Sequence, residues 1–344
     1  MHETDKDLNN ISRNMERRKE QRRRRARKIK RRRQIISISL LVLIIILIFS
    51  KLSSCSKKKN MTHSPALMWY YSNATHKRRP YRLFYGADEL SNQVLEPIRK
   101  FEDEFIVSGS NHLKKVDKFA YDTEEISHFI ETDSNDLDKK IVFLTFDDGP
   151  NLKITPQILD TLKREDARAT FFLVGSSINE THKDVVREIL ANGNSIATHS
   201  FSHDYSYLYP ERTVNPDRVL DEINKSNERL REILGDSFHS GVFRYPGGKM
   251  SWNNVEASDE LLAKNGIHWI DWNTLTGDAQ RKSDRPTTPA GQVEYINKTL
   301  HKNKKTNIAV VLSHDANNKQ LTADALSSVI KYFRDNGYEF GILK

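Results

Sequence analysis

Residues 139–150 read KKIVFLTFDDGP. An apolar run of strand length ends in two adjacent carboxylates and a Gly-Pro turn. On the C-terminal side the same texture repeats. Short apolar runs recur at 169–174, 195–198, 242–244, 268–271, 308–313 and 338–342. Amphipathic stretches separate them near 155–165, 178–192, 215–234, 254–265, 289–303 and 321–336. Asn192-Gly193, Asn265-Gly266 and Asn336-Gly337 sit where helix C-terminal turns belong. Seven strands separated by six helices predict parallel βα units. The α/β class follows, as a (β/α) barrel, distorted or incomplete, with about seven strands. A doubly wound open sheet is the alternative.

In such a barrel the working side chains stand at the C-terminal ends of strands. Those ends deliver, in order, Asp147 and Asp148, His199 and His203, Arg244, Asp271, and His314. Two histidines and a carboxylate are a common facial set for zinc or another divalent ion. Adjacent Asp147 and Asp148 point in different directions, so one can bind the metal while the other stays free as a base. His314, from another strand, faces a leaving group as general acid. Singly each element reads more simply. Asp-Asp-Gly-Pro is ordinarily a β-turn, and a His-x-x-x-His pair is ordinarily a surface or capping feature. Arg244 reads as an ion-pair residue, Asp271 as a helix cap, His314 as a core histidine. The ordered series is what points to chemistry. The single cysteine, Cys55, excludes an intrachain disulfide and a Cys-rich zinc site.

The formal net charge of +9 is unevenly spread: the first 33 residues carry +10 and the remaining 311 carry −1. A body-wide phosphate-binding surface is unsupported, and no nucleic-acid partner is expected. Residues 35–50, IISISLLVLIIILIFS, are 16 uncharged positions directly after the Arg-rich run. Extension to 54, with Lys51 snorkelling, gives a single membrane helix. The positive-inside rule keeps the N-terminus cytoplasmic and the rest outside the cell membrane. The expected organisation is a basic cytoplasmic tail (1–33), a transmembrane helix (34–54), an extracellular spacer with a small structured region (55–135), and a catalytic domain (136–344). Leu52-Ser53-Ser54-Cys55 resembles a lipobox, so a lipidated Cys55 is the alternative anchor.

The ordered set resembles the polysaccharide deacetylase family, the carbohydrate esterases that share the NodB homology domain, over residues 139–344. Thr145-Phe146-Asp147-Asp148-Gly149-Pro150 matches the first family motif, which makes Asp147 the base and Asp148 a metal ligand. His199 and His203 match the second motif and supply the other ligands. Arg244-Tyr245-Pro246-Gly247-Gly248 resembles the third, in which the arginine orients the base. An aromatic residue often stands where Gly247 stands here. Asp271-Trp272 resembles the fourth motif, with Asp271 tuning the acid histidine and Trp272 near the acetyl group; Asp278 is a second candidate for that carboxylate. Leu312-Ser313-His314 matches the fifth and makes His314 the general acid. Tyr245, Pro246, Gly247, Trp272 and Leu312 are the implied substrate contacts. The resemblance implies a hydrolase of N-acetyl groups with one divalent ion, Zn²⁺ first and Co²⁺ as alternative. With an outward-facing domain, the partner is a cell-wall glycan, N-acetylglucosamine of peptidoglycan ahead of N-acetylmuramic acid, poly-N-acetylglucosamine, chitin fragments or acetylated xylan. A catalytically dead wall-binding barrel is the reading from another class.

Overall fold

The computed structural model describes residues 105–133 and 137–344. The basic tail, the expected membrane segment, Cys55 and the first part of the expected spacer lie outside the described residues. Among those described, no helix is long and apolar enough to cross a membrane.

The strands are β1 (Ala120–Tyr121), β2 (Lys140–Asp147), β3 (Ala169–Leu173), β4 (Ser195–Thr198), β5 (Val242–Phe243), β6 (His268–Trp269), β7 (Thr274–Leu275), β8 (Ile308–His314), β9 (Tyr338–Phe340) and β10 (Ile342–Leu343). The α-helices are α1 (Thr123–Thr132), α2 (Ile154–Arg164), α3 (Lys183–Ala191), α4 (Tyr205–Leu208), α5 (Pro216–Leu234), α6 (Glu256–Lys264), α7 (Pro289–Leu300) and α8 (Gln320–Asp335). The main sheet runs β6-β5-β4-β3-β2-β8-β7, all parallel, with β9 also on β2.

The outermost strands of that order, β6 and β7, are consecutive in the chain. Residues 268–275 pair with β5 at their start and with β8 at their end. One extended segment thus joins both edges and curls the sheet into a distorted barrel. The apolar run expected at 268–271 therefore holds only β6, and a further strand, β7, follows it where the apolar pattern marks none. At the seam the side chain of Asn273 stands in for ladder bonds: its Oδ1 accepts from Val310 N (2.8 Å) and its Nδ2 donates to Ile308 O (2.8 Å).

Strand alternation sorts the cores. Ile141 and Phe143 of β2, Phe172 of β3, Ala197 of β4, Val242 of β5 and Val310 of β8 share the barrel interior. Val142, Leu144 and Phe146 turn outward onto α2, α3 and α8 with Phe171, Ile196, Val311 and Phe333. The helices end as their residues dictate. Asn192, Asn265 and Asn336 are C-caps, each followed by a glycine with positive φ (83°, 68° and 79°). Asn215 and Thr288 cap α5 and α7 ahead of Pro216 and Pro289.

The spacer is expected to run to residue 135, but residues 105–133 pack on the barrel. Leu113 and Val116 are buried, and Asp122 caps α1 by accepting from Glu125 N (3.0 Å). Helix α1 lies against β6 and β8. Its Ile126, fully buried, joins the interior cluster, with Phe129 and Ile130 beside it. The signal in TEEISHFIET is only Ile126, Phe129 and Ile130 at spacings of three and four, too short to stand out in a charged stretch. Ile126→Ala should cost ~2–5 kcal/mol of stability, the range for a truncated core aliphatic. Urea unfolding checks this; an unchanged midpoint would mean α1 is not part of the cooperative unit.

Candidate active site at the barrel mouth

The interior alternation that buries Ile141 and Phe143 brings Thr145 and Asp147 to the mouth of β2 two and four residues on. The same period carries Ala197 to His199, Val242 to Arg244, and Val310 to Leu312 and His314. Asp147 and His314 are register partners on adjacent strands. Four side chains expected from the motifs, Asp147, His199, Arg244 and His314, thus come to the mouth together for a geometric reason.

Arg244 is fully buried. Its Nη1 donates to Asp147 Oδ1 (2.9 Å) and Thr145 Oγ1 (2.7 Å), its Nε to Ile270 O (2.9 Å), and its Nη2 to Asp271 O (2.9 Å). The guanidinium lies 4.0 Å from the Phe172 ring centroid. With one oxygen so held, Asp147 turns Oδ2 toward His199 Nε2, 3.8 Å away. Asp148 leaves the strand with φ of 78° and faces outward. Its Oδ1 lies 3.8 Å from His199 Nε2 and 3.4 Å from His203 Nε2.

One ligand atom from each of Asp148, His199 and His203 falls within 4.8 Å of the others, the sole such group among the described residues. His199 Nδ1 is hydrogen-bonded to the carbonyl of Arg244 (2.9 Å), which fixes the proton there and leaves the Nε2 lone pair facing Asp148. Burial, with the nearby His203 charge, pushes the His199 imidazole down to about 3, so the ring is the neutral donor a metal requires. The donor set fits a divalent ion.

The loop bearing the histidines is held from outside. Buried Glu222 of α5 accepts from Phe201 N (3.1 Å) and Ser202 N (3.0 Å), and Ser200 Oγ accepts from His203 N (2.9 Å). Behind the Asp-Asp loop, Asn151 caps α2 and donates to the carbonyl of Asp315, while Thr155 Oγ1 donates to the Asp315 carboxylate (2.5 Å). Burial, then the Asp148 and Asp147 charges, push Asp315 up to about 7. Glu222 and the Asp315 group lie outside the motif reading, and Thr145 stands in the first motif without an expected role. No local pattern marks these roles, because each acts through a contact distant in sequence.

His314 corrects one expectation. Its partner is Asp278, not Asp271: Nδ1 sits 2.9 Å from Asp278 Oδ1, and its backbone N donates to Oδ2 (2.9 Å). Thr322 Oγ1 also donates to Asp278 (2.8 Å). The Asp271 carboxylate instead accepts from Lys249 N (3.1 and 3.2 Å). It therefore ties down the loop after Arg244. Burial alone would lower His314, but the hydrogen bond and charge of Asp278, with Asp147 and Asp148, outweigh it and the net shift is upward. Among the expected substrate contacts, Gly247 is exposed and Trp272 half-buried, near the Arg244 guanidinium. Pro246 and Leu312 are buried. The Tyr245 ring is fully buried against Phe243 and bonded to Ser258 and Asp259, so only its backbone reaches the mouth.

Histidine NMR should find His314 titrating above its ordinary ~6.5. Its ion pair then stabilises the fold below that value, and the gain is lost as pH rises through the raised one. Asp278→Asn should lower the His314 pKa and Asp271→Asn should not; the opposite pattern would restore Asp271 as partner. Glu222→Ala should weaken Zn²⁺ binding ~10–100-fold, the usual range for groups supporting metal ligands. Calorimetry reads this, and an unchanged affinity would mean the loop holds its shape without Glu222.

A family profile described as polysaccharide deacetylase matches residues 134–267. The peptidoglycan-N-acetylglucosamine deacetylase of Bacillus cereus is 30% identical over 206 residues, covering 60% of this chain and 70% of that protein. The peptidoglycan-N-acetylglucosamine deacetylase PgdA of Listeria monocytogenes is 32% identical over 202 residues, 58% of this chain and 37% of that one. Among solved structures, a Streptococcus mutans CE4 esterase superposes with a TM-score of 0.67 at 39% identity, covering 70% of this chain and 99% of that chain. The catalytic domain of a peptidoglycan N-acetylglucosamine deacetylase from Eubacterium rectale gives 0.51 at 27% identity, with coverage of 61% and 91%. With the extended match to the Bacillus cereus protein and near-complete coverage of the Streptococcus mutans structure, the chain belongs to the polysaccharide deacetylase family.

Proposed function

We propose that this chain hydrolyses N-acetyl groups on a cell-wall polysaccharide, with N-acetylglucosamine of peptidoglycan as the sugar, releasing acetate and leaving a free amine. The observation that carries this reading is the division of labour between two adjacent carboxylates. Asp147 is gripped by Arg244, and Asp148 faces two histidines. The names of the relatives support the choice of substrate.

Asp148, His199 and His203 are the residues that would hold a divalent ion, Zn²⁺ first. When bound, such an ion supplies Lewis acidity toward the acetamide carbonyl and the attacking water. Asp147 Oδ2 removes the proton of that water, and Arg244 keeps the carboxylate turned toward it. A backbone N–H of residues 245–247 donates to the developing oxyanion. His314, with Nδ1 committed to Asp278, protonates the departing amine through Nε2. Acid and base stand on neighbouring strands, about 4.8 Å apart in sheet spacing, so both reach one acetamide. The basic tail and the apolar segment at 34–54 support a membrane-anchored, outward-facing enzyme; that part rests on sequence alone.

Acetate release from purified peptidoglycan and from chitooligosaccharides tests the reading, with chelator-treated enzyme as control. The full chain should release acetate from peptidoglycan, lose this with chelator, and regain it with Zn²⁺. Release from chitooligosaccharides alone would move the substrate to another polymer, and release from neither would overturn the deacetylase. Asp147→Asn should abolish turnover with metal content retained, whereas Asp148→Asn should chiefly lower metal content. Equal loss of metal in both would overturn the two roles.

A further inference from the structure

Two loops beside the histidines carry side chains with no task in the reaction above. One follows His203 and runs through α4 to Asn215. The other follows Arg244 and runs from Gly247 to Asn254. They are bolted together. Asn253 N donates to Arg212 O (2.8 Å), Val214 N to Asn253 O (3.0 Å), and the Arg212 guanidinium to Ser251 O (2.5 Å). Glu211, Arg212 and Asn254 all hold positive φ (51°, 64° and 54°). Non-glycine residues keep such angles only where the surroundings impose them.

What the bolted loops carry is a run of aromatic rings leading away from a metal-ligand candidate. The Tyr205 ring centroid lies 5.2 Å from that of His203. Trp252 meets Tyr205 edge-on at 5.2 Å and stacks on buried Tyr209 at 4.0 Å. Trp252 Nε1 donates to Pro246 O (2.8 Å), which fixes the indole. The end of the run nearest the mouth is open: Tyr205 is 43% exposed, and its hydroxyl has no hydrogen-bond partner among the described residues.

Gly247 explains how these rings come so close. Its φ is 82°, and a Cβ there would lie 3.2 Å from the Trp252 ring and 3.3 Å from the Tyr205 hydroxyl. The third-motif loop therefore gives up its own side chain at the position where Tyr205 and Trp252 converge. An exposed ring on a rigid mount, beside an acetamide-hydrolysing centre, suits one class of ligand. A pyranose presents a face of polarised C–H groups to the negative face of an aromatic ring and hydroxyls at its rim to a phenol.

We propose that Tyr205, braced by Trp252, is the stacking platform for the sugar ring whose acetamide enters the site, and that it sets specificity for a glycan over a small acetylated amine. The inference rests on the deacetylase reading and assigns that site its sugar-binding wall. Tyr205 grips the sugar ring itself, so it acts on binding before any bond is broken.

The test uses the full chain and chitotetraose. Calorimetric binding is measured on chelator-treated protein, and KM and kcat on the Zn²⁺-loaded enzyme. Tyr205→Ala should weaken binding and raise KM about tenfold, equivalent to ~1.4 kcal/mol, with a smaller change in kcat. Tyr205→Phe, which keeps the ring, should retain most of the affinity. Zn²⁺ affinity measured in both variants shows whether the His203 loop is intact; because the side chain is exposed, it should be. Tyr205→Ala binding as tightly as the parent would overturn the platform while leaving the deacetylase standing. Equal losses in Tyr205→Phe and Tyr205→Ala would overturn stacking in favour of the hydroxyl alone. A parent chain that binds chitotetraose but releases acetate from no acetylated glycan would overturn the deacetylase reading and not the wall.

Discussion

The fully buried guanidinium of Arg244 ties the barrel to its chemistry. It directly follows β5 and donates to carbonyls of residues 270 and 271, where the chain passes from one sheet edge to the other, and to Thr145 and Asp147 on β2. A charge taken out of water is tolerated only when its donors are satisfied and its partner is close. Here the satisfying acceptors are the seam of the barrel and the carboxylate at its mouth. Removing one side of a buried pair costs ~3–5 kcal/mol because the other charge is stranded. A lysine cannot replace this arginine, since an ammonium has three donors on one nitrogen and the guanidinium serves four acceptors from three nitrogens. One side chain therefore links the segment that closes the sheet to the carboxylate it orients.

Around that anchor, precision is graded. Asp147, Arg244 and His314 sit on or next to strands whose interior alternation fixes their direction. Asp148 and His203 sit on loops, and each loop is stiffened by a buried carboxyl: Asp315 behind the first, Glu222 behind the second. Groups that must meet a proton at a set distance lie on the rigid frame. Two of the three groups that would close around an ion, Asp148 and His203, lie on supported loops, where small adjustments are tolerated.

Most of the barrel was legible from residues. The seven apolar runs, the Asn-Gly helix ends and the polar strand ends are local signals that recur in order. The seam was not legible, because β7 is two residues long and owes its existence to pairing with β8. Helix α1 was hidden by its charge, since Ile126 is its one fully buried hydrophobic residue. In the site, the residue types and their order were readable, but partnership was not. Asp271 and Asp278 are seven residues apart and both follow a strand. Only the turn of the chain after β7 brings Asp278, rather than Asp271, to His314 Nδ1. Tyr245 likewise stands in a motif at the mouth, yet strand alternation turns its ring outward into the core.

The central claim is that adjacent carboxylates are divided, Asp147 to the arginine and Asp148 to a metal. Anomalous X-ray scattering from crystals grown with Zn²⁺ tests it most directly. The account predicts one peak about 2.0–2.2 Å from Asp148 Oδ1, His199 Nε2 and His203 Nε2, with Asp147 outside the ligand set and still paired with Arg244. A peak that takes Asp147 as a ligand, or no peak among these residues, would contradict it.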